Sequence, residues 1–304
     1  METINVENYK EERFGTAIAL GNFDGVHLGH GEIISSMVKR SKEMQIKPSI
    51  LLFNNHTRGI LDGKQPELLT INEQKREILK NLGVEIIYMI EFNDALMKLS
   101  PEEFVQTILV DKLNVKSVTV GFDYRFGHKA SGNVELLKEL GNKYKFHVSI
   151  VEPIFDNKNI ISSTRIRKLI RDGDIQLANQ MLGRNFSILG EVISGKKRGK
   201  GLGFPTANIE KSREQIMPKS GIYLTEIIIN NRKRLSVTSI GTNPTFNDNE
   251  TRIETYILDF DKNIYGELVI LEFIKYLRAE KKFDNINELK AQIQEDVDLA
   301  KSIY

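Results

Sequence analysis

The sequence predicts two domains: an α/β domain with a doubly wound parallel sheet over residues 1–185, and a smaller antiparallel β domain over residues 186–304. The chain has 304 residues, and at about 100–200 residues per domain this length suits two domains. Before residue 185, short apolar runs alternate with amphipathic helical patterns. After it, strand-like runs follow one another with almost no helix between them. Strand–helix alternation is typical of parallel sheets, and closely spaced strands are typical of small barrels or sandwiches.

Five strands are predicted in the first domain, because each run is short, apolar and rich in Val, Ile or Phe. The helices between them have recognisable starts: Thr70 precedes Glu73 by three residues, and Ser100 is followed by Pro101 and Glu103. A hydroxyl with an acid three residues later is typical of a helix start. In such a sheet we expect ligands at the carboxyl ends of the strands. The predicted strands cover residues 16–23, 48–53, 84–90, 116–121 and 145–151.

The second domain shows the strand pattern without the helices. The chain then closes with a helical pattern that begins at Asn285, with Glu288 at its third position. We therefore expect an antiparallel barrel or sandwich with one carboxyl-terminal helix. Its predicted strands cover residues 187–193, 222–229, 233–240, 252–258 and 267–274.

The composition excludes several classes of protein. Hydrophobic residues make up 40% and charged residues 28% of the chain, which is typical of globular proteins and not of disordered ones. The 43 Lys and Arg against 41 Asp and Glu argue against a surface devoted to nucleic acid or membranes. Without cysteine there is no disulfide framework and no thiolate metal site.

Nothing in the sequence predicts a membrane or secreted protein. No apolar run approaches the ~18 residues that a membrane span needs. The amino terminus lacks the basic and apolar regions of a signal peptide. We therefore expect a cytoplasmic protein whose partners are small molecules, without nucleic acid or membrane, and of unspecified oligomeric state.

Two of the five histidines lie three residues apart, at a turn between a predicted strand and a predicted helix. Residues 21–30 read GNFDGVHLGH, so that His27 and His30 share one face of the helix start. Gly25 and Gly29 let a ligand approach the backbone. Free backbone N–H groups and the helix dipole attract anions there, so the turn suits a triphosphate. The alternative is a pair of incidental surface or capping histidines.

A second segment has the same character. Ser162, Ser163 and Thr164 are predicted to begin a helix, and Arg165 and Arg167 follow within a turn. Hydroxyls and guanidinium groups match phosphate oxygens. Taken alone, this segment is better explained by an ordinary serine-capped helix with solvated arginines.

These residues resemble the nucleotidyltransferase superfamily, and the surrounding GNFDGVH resembles its FMN adenylyltransferase branch. Residues 120–127, with Gly132 downstream, are similar to the third motif of that branch. The resemblance implies a Rossmann-like fold, with His27 and His30 as catalytic residues and Asp123 and Phe126 near the flavin. It implies a nucleotide site made by Gly21, Phe23, Asp24, Gly29, Ser163, Thr164 and Arg167.

One motif departs from the branch, which usually carries Phe-x-Pro-His-Pro after the second strand. This chain has Phe53 followed by Asn54, Asn55, His56 and Thr57, so that the histidine is kept and both prolines are absent. No flavin contact is therefore assigned to this loop.

A basic glycine loop at residues 195–203 opens the second domain. It is not a Walker A motif, because only three residues separate Gly195 from Gly199, and Gly201 follows the lysine. Thr206 and Asn208 follow it and alternate along an extended strand, so that their oxygens lie on the same side. Two neutral oxygen ligands suit Mg²⁺, which also bridges to substrate phosphates.

This stretch resembles the riboflavin kinase family, whose Gly-x-Pro-Thr-Ala-Asn motif binds magnesium nucleotide. The matching segments are 221–223, 240–246, 254–260 and 277–283. The resemblance implies a six-stranded barrel with Glu254 as general base, Arg278 near the nucleotide or at the flavin, and Thr206 and Asn208 as metal ligands. It also implies a nucleotide site at Gly199, Gly203, Pro205 and Thr206. Tyr256 stands where many members carry histidine, and no role is assigned to it.

The two resemblances occur in the order of the bifunctional bacterial riboflavin kinase and FAD synthetase. They imply that riboflavin is phosphorylated by ATP to FMN and ADP with Mg²⁺, and that FMN then reacts with ATP to give FAD and pyrophosphate. One alternative is another nucleotidyltransferase of the superfamily. A second alternative is a sensor that binds flavin or nucleotide without turnover.

Overall fold

The computed structural model describes residues 1–7, 15–54, 67–195, 203–242 and 251–304. The chain forms two compact units. The first contains Met1–Pro66 and Asn72–Ser162, and the second contains Glu67–Ile71 and Ser163–Tyr304. His56, Gly199 and the segment 243–246 lie outside the described residues.

The first unit is built on a six-stranded, all-parallel sheet with the strand order β1-β4-β3-β2-β5-β6. Its strands are β1 (Glu2–Asn5), β2 (Thr16–Leu20), β3 (Lys47–Phe53), β4 (Ile86–Ile90), β5 (Val115–Gly121) and β6 (His147–Val151). A short hairpin follows, made by β7 (Phe155–Asp156) and β8 (Asn159–Ile160). The predicted doubly wound α/β fold is confirmed.

Helices connect the parallel strands. The long helical segment before β5 begins with α4 (Pro101–Glu103) and continues in π-helical turns over Phe104–Lys112. The helices of this unit are α1 (Leu28–Met44), α2 (Asn72–Asn81), α3 (Asp94–Lys98), α4 (Pro101–Glu103) and α5 (Val134–Tyr144). Apolar clusters occupy both faces of the sheet, one around Val118 and Val120, the other around Ala17 and Ala19.

The strand order reverses between β2 and β5. Strands β3 and β4 extend the sheet to one side of β2, and β6 extends it beyond β5. In open α/β sheets, ligands bind at this switch point, beyond the carboxyl ends of the strands. The loops that follow Leu20 and Gly121 lie there. They contain the histidine turn at residues 21–30 and the segment 120–127 that resembles the FMN adenylyltransferase branch.

All five predicted strands of this unit are present, with ends shifted by up to three residues. Strand β2 ends at Leu20, three residues before its predicted end, because Phe23 adopts a positive φ of 46° that a strand cannot continue through. The edge strand β1 was missed, because a run of only four residues shows too little alternation. Ser100 and Glu103 form the predicted capping box. Helix α2 begins at Asn72, one residue later than a cap at Thr70 requires.

The second unit begins with two helices, α6 (Ser163–Asp172) and α7 (Ile175–Leu182). A closed antiparallel barrel follows, with the strand order β10-β13-β12-β11-β14-β9. Its strands are β9 (Phe186–Ile193), β10 (Thr206–Lys211), β11 (Gly221–Ile229), β12 (Arg232–Thr242), β13 (Thr251–Ile257) and β14 (Leu268–Arg278). The predicted six-stranded barrel is confirmed.

Helix α8 (Ile286–Ile303) packs on the outside of the barrel and defines its two faces. Val297 and Ala300 of this helix form an apolar cluster with Leu224 of β11 and Val237 of β12, and Tyr256 of β13 borders the cluster. The alternate residues of these strands face the interior. There, the fully buried hydroxyls of Thr225, Ser236, Thr238 and Thr255 form a chain of hydrogen bonds of 2.8–3.0 Å.

Helix α8 begins where the sequence predicts it. The Asn285 side chain caps the helix by accepting a hydrogen bond from the Glu288 N–H at 3.0 Å. Within the described ranges, no helix is both long enough and apolar enough to cross a membrane.

Candidate functional site

The loop between β2 and α1 is held in an unusual backbone conformation. Phe23 and Val26 have positive φ angles of 46° and 38°, and Gly25 has a φ of 80°. Positive φ is a clear outlier for a β-branched residue such as Val26. Strain of this kind costs about 1–3 kcal/mol per residue and is concentrated at functional sites.

His27 caps helix α1 with its own imidazole. The Nδ1 atom accepts a hydrogen bond from the backbone N–H of His30 at 3.4 Å. A nitrogen that accepts cannot carry a proton, so this cap requires the neutral imidazole with its proton on Nε2. Nε2–H is then the one ring donor of His27.

The two histidine rings are stacked. Their centroids are 3.7 Å apart and their planes differ by 17°, while Phe23 packs against His30 with a centroid distance of 5.2 Å. Two cations in face-to-face contact would repel each other strongly at this distance. The arrangement therefore favours a pair in which at most one ring is charged.

Two glycines of the motif make room for these rings. A Cβ atom on Gly29 would lie 3.3 Å from the His27 ring, and one on Gly21 would lie 3.2 Å from the Phe23 ring. Both distances are shorter than most real Cβ contacts allow. Gly21 and Gly29 thus let Phe23 and His27 lie close against the backbone, in addition to any nucleotide contact.

Asp24 is buried in the same loop, with only 3% of its surface exposed, and the ammonium group of Lys75 on α2 interacts with it. Lys75 is 7% exposed. Burial lowers the pKa of Lys75, and the nearby Asp24 carboxylate opposes this shift. The sequence analysis missed Lys75. Helix α2 thus places an opposite charge near the buried Asp24 of the loop that carries His27.

The loop after β5 contains the two predicted flavin residues in different environments. Asp123 is exposed, close to the end of β5. Phe126 is a core side chain. Its ring stacks on that of Tyr124 with a centroid distance of 5.7 Å and contacts the ring of Phe104 with a centroid distance of 6.0 Å. Phe126 therefore supports this loop from the core, and its contact with flavin stays a prediction.

Ser163, Thr164 and Arg167 are in the second compact unit, at the start of helix α6. The Arg167 Nε atom donates to the carbonyl oxygen of Glu67 at 2.8 Å. The predicted helix start is confirmed, and the role of these residues toward a nucleotide stays a prediction.

On the barrel, Asn208 and Glu254 are direct partners across strands β10 and β13. Two residues along the same strands, Thr206 is paired with Tyr256, so this pair lies on the same face as Asn208 and Glu254. Paired residues of a ladder point to the same side of a sheet, and Tyr256 contacts the outer cluster beneath α8. Thr206, Asn208 and Glu254 therefore all lie on the outer face of the barrel.

A row of paired residues continues from Glu254 across the barrel. Glu254 is opposite Ser239 on β12, Ser239 is opposite Ile222 on β11, and Ile222 is opposite Arg278 on β14. The row therefore places Arg278 three strands away from Glu254 around the closed barrel. The sequence predicted both of these residues but missed Ser239, which is visible only once the register is known.

The metal ligands predicted from sequence fit Mg²⁺ by their chemistry and placement. A Cβ atom on Gly195 would lie 2.1 Å from the Asn208 amide, so this glycine forms a cradle for the amide. Among the described residues, no group of three or more His, Cys, Asp or Glu could hold a metal ion. Two neutral oxygens leave the remaining coordination positions to water and substrate phosphates, as Mg²⁺ prefers.

A second carboxylate lies near Glu254. The Glu280 side chain covers Gly241 so closely that a Cβ atom there would lie 2.0 Å from Glu280 Oε1. Partial burial raises the pKa of the Glu280 carboxyl; the Arg278 guanidinium opposes the shift, and the Glu254 carboxylate adds to it. Glu280 and Glu254 are thus two acids close to each other, of which Glu254 is directly beside Asn208.

Arg278 is bound to helix α8. Its Nε and Nη2 atoms donate to the two carboxylate oxygens of Asp296 at 2.7 and 2.6 Å, and its Nη1 atom donates to the Ala279 carbonyl at 3.0 Å. A bidentate pair of this kind fixes both side chains. Arg278 therefore anchors the helix to the end of β14, and its predicted flavin contact remains a prediction.

The remaining predicted nucleotide residues flank β10. Gly203 has a φ of 86°, a conformation that favours glycine. Pro205 is exposed immediately before Thr206. Phe204 packs edge-on against Tyr256 with a centroid distance of 5.2 Å. The motif thus turns at Gly203 and enters the barrel through an aromatic contact.

Two protein families match this chain. The FAD synthetase family model matches residues 9–165, and the Riboflavin kinase family model matches residues 182–304. The two models cover the parts of the chain that carry the histidine pair and the barrel row, respectively.

Curated relatives match over nearly the whole chain. A bifunctional riboflavin kinase/FMN adenylyltransferase of Buchnera aphidicola is 38% identical, covering 98% of this chain and 97% of the relative. The protein of the same name from Listeria monocytogenes is 39% identical, covering 92% and 89%. The likeness therefore extends across both units.

A solved structure from Streptococcus pneumoniae has the same fold from end to end. It is 31% identical, with a TM-score of 0.91 and 98% of each chain covered. It is named a macrolide-efflux protein. That name describes transport, whereas the two family models and the curated relatives describe flavin chemistry.

Proposed function

This chain belongs to the family of bifunctional riboflavin kinase/FMN adenylyltransferases, and we propose that its barrel and its parallel sheet each carry one of the two reactions. The barrel phosphorylates riboflavin with ATP and gives FMN and ADP. The sheet domain transfers the adenylyl group of ATP to FMN and gives FAD and pyrophosphate. We place the enzyme in the cytoplasm, because both reactions consume ATP.

In the kinase reaction, Glu254 is the general base. The acceptor is an alcohol, which is a poor nucleophile near neutral pH until its proton is removed. The Glu254 carboxylate accepts this proton while the oxygen attacks the γ-phosphorus of ATP, a contribution worth about 10²–10⁴-fold. The partly exposed position of Glu254 on the outer face leaves it accessible to such a substrate.

Thr206 and Asn208 are the residues that would hold Mg²⁺ on the barrel. When bound, the ion would neutralise charge on the β- and γ-phosphates. Asn208 is paired with Glu254, so the residue that positions the ion and the residue that accepts the proton are fixed by one strand pairing.

In the adenylyl transfer, no general base is needed, because the FMN phosphate is already an anion. The difficulty is to bring two anions together and to stabilise charge on the α-phosphate and on the departing pyrophosphate. The ring donor of His27 is Nε2–H, since Nδ1 accepts the hydrogen bond of the helix cap. With His30 stacked on it, the turn supplies positioned donors at a helix start.

The observation that carries this proposal is the direct pairing of Asn208 with Glu254 on the outer face of the barrel. It brings a metal ligand and a carboxylate together, as proton removal at a metal-bound phosphate donor requires. A protein that only binds flavin has no use for this combination.

The test is to incubate the protein with riboflavin, ATP and Mg²⁺ and to separate the flavins by chromatography. We expect FMN first and FAD afterwards, and we expect FAD alone when FMN is supplied. Riboflavin that is bound but unmodified would instead indicate a sensor. FAD from FMN, without FMN from riboflavin, would limit the function to that of a nucleotidyltransferase.

A further inference from the structure

We propose that Ser239 contacts the acceptor substrate in the barrel site, where its hydroxyl binds the hydroxyl neighbouring the one that Glu254 deprotonates. The inference rests on the proposed kinase function. It adds a residue to the site that recognises the polyhydroxylated side chain of the acceptor.

The position of Ser239 is fixed by strand pairing. Ser239 is directly opposite Glu254 in an uninterrupted ladder over β12 and β13. Its neighbours Thr238 and Ile240 are fully buried and face the barrel interior. Ser239 therefore faces outward, on the same side as Glu254, and it is partly exposed.

The Ser239 hydroxyl is available for a ligand. Among the described residues it makes no hydrogen bond, although the other hydroxyls of β12 at Ser236 and Thr238 are bonded inside the barrel. A partly exposed hydroxyl is hydrated until a ligand excludes the water, and it then needs a new partner. A substrate that closes over Glu254 would supply that partner.

The spacing suits two neighbouring hydroxyls of one molecule. Directly opposite residues of an antiparallel pair have Cβ atoms about 4.5–5.5 Å apart. A serine hydroxyl can donate and accept at once, whereas an ionised carboxylate only accepts. Side by side, Ser239 and Glu254 can therefore engage adjacent hydroxyls of a polyol chain, with Glu254 taking the proton from one of them.

Loss of the Ser239 hydroxyl should affect the use of riboflavin and not the use of ATP. A neutral hydrogen bond contributes about 0.5–1.5 kcal/mol, so the loss of the Ser239 hydroxyl should lower kcat/KM for riboflavin about 3- to 10-fold. The KM for ATP should stay unchanged. FAD formation from supplied FMN should also stay unchanged, because the sheet domain carries that reaction.

Ser239→Ala tests the proposal, with Ser236→Ala as the matched control and Ser239→Thr as the conservative variant. Ser236 is on the same strand but faces the interior, so its loss should lower the melting temperature and leave kcat/KM for riboflavin unchanged below that temperature. Ser239→Thr keeps a hydroxyl and should retain most of the activity. Equal kcat/KM for riboflavin in Ser239→Ala and the unchanged protein would overturn the proposal.

Riboflavin analogues in which one side-chain hydroxyl is replaced by hydrogen give a sharper test. With one of these analogues, the kcat/KM of the unchanged protein should be 3- to 10-fold lower than with riboflavin. The kcat/KM of Ser239→Ala should be the same with this analogue as with riboflavin. Additive losses with every analogue would show that Ser239 does not touch the polyol. If the unchanged protein makes no FMN from riboflavin, the proposed function itself fails, which is a different result from either of these.

Discussion

Asn208 and Glu254 face each other across strands β10 and β13, on the outer surface of the barrel. The pairing joins two residues that are 46 positions apart in the chain, and it places a neutral amide beside a carboxylate. An amide next to a carboxylate can bind a cation without neutralising the base. In the proposed kinase reaction, proton removal and metal binding would thereby belong to separate side chains.

Glu254→Gln should abolish most of the kinase reaction and spare the other one. Glutamine keeps the shape of the side chain but cannot accept the proton, so FMN formation should fall by about 10²–10⁴-fold. FAD formation from supplied FMN should be unchanged. Glu191→Gln, an exposed acid on β9, is the control and should keep both activities. Loss of both activities in Glu254→Gln would contradict the division of labour between the domains.

Thr206→Ala should raise the Mg²⁺ concentration that the kinase needs. The substitution removes one of two neutral oxygens from the outer face, and the ion would then depend on Asn208 and the nucleotide. Titration with Mg²⁺ at fixed ATP measures the half-saturating concentration for each reaction separately. An equal shift in FAD formation would argue for one shared metal site.

His27→Asn separates the two uses of the imidazole. Asparagine is among the best residues at a helix N-cap, so it keeps the cap that His27 Nδ1 provides, but it cannot present a donor where Nε2–H lies. FAD formation should fall by about 10²–10³-fold, as for the loss of one positioned donor, with FMN formation unchanged. His27→Ala should lose the same activity and be less stable than His27→Asn by about 1 kcal/mol, measured by urea unfolding. Unchanged FAD formation in both variants would remove the case for His27.

The sequence was informative wherever one local pattern determines the structure. The strand, glycine turn and helix around His27, and the alternation of Thr206 and Asn208, are local, and the structure has them as predicted. Pairing is different, because the register of a barrel depends on all of its strands. Ser239 has no motif of its own, and it stands beside Glu254 only through that register.

Two further residues show the limits of motifs. Arg278 matches a motif at its own position, but its bond to Asp296 depends on how a helix 18 residues further along docks against the barrel. Phe126 matches a motif as well, yet its ring is part of the core. A motif gives the residue type that is needed at a place, and packing decides which way the side chain points.

Asp296→Asn should destabilise the barrel by about 3 kcal/mol. Breaking a buried ion pair by removing one partner typically costs 3–5 kcal/mol, and the lower end applies because 24% of the Arg278 side chain is exposed. Asp298→Asn on the exposed side of the same helix is the control and should change the free energy of unfolding by less than about 0.5 kcal/mol. If Arg278 also contacts flavin, the KM for riboflavin should rise in Asp296→Asn as well. A stability equal to that of the control would contradict the anchoring role.

Asp24 and Lys75 should behave as a coupled pair. Each single change, Asp24→Asn or Lys75→Met, removes the opposite charge that faces the other residue and should cost up to about 3–5 kcal/mol. The double variant removes both charges and should lose less than the sum of the two, which a double-mutant cycle on urea unfolding measures. FMN formation by the barrel reports whether the rest of the chain is folded. Additive losses would show that the two residues act independently.

The burial of Lys75 can be tested by the sign of the slope of the free energy of unfolding against pH. Burial lowers its pKa in the folded protein below the 10.5 of the unfolded chain. Between these two values the unfolded state binds more protons than the folded state, so the free energy of unfolding contributed by Lys75 rises with pH. Relative to Lys75→Met, the unchanged protein should therefore gain stability as the pH approaches 10.5, by at most about 1.4 kcal/mol per pH unit. Lys80→Met, an exposed change on the same helix, should leave the slope unaltered. A slope that is equal in the unchanged protein and Lys75→Met would mean that Lys75 is hydrated, and that helix α2 places no buried charge near the histidine loop.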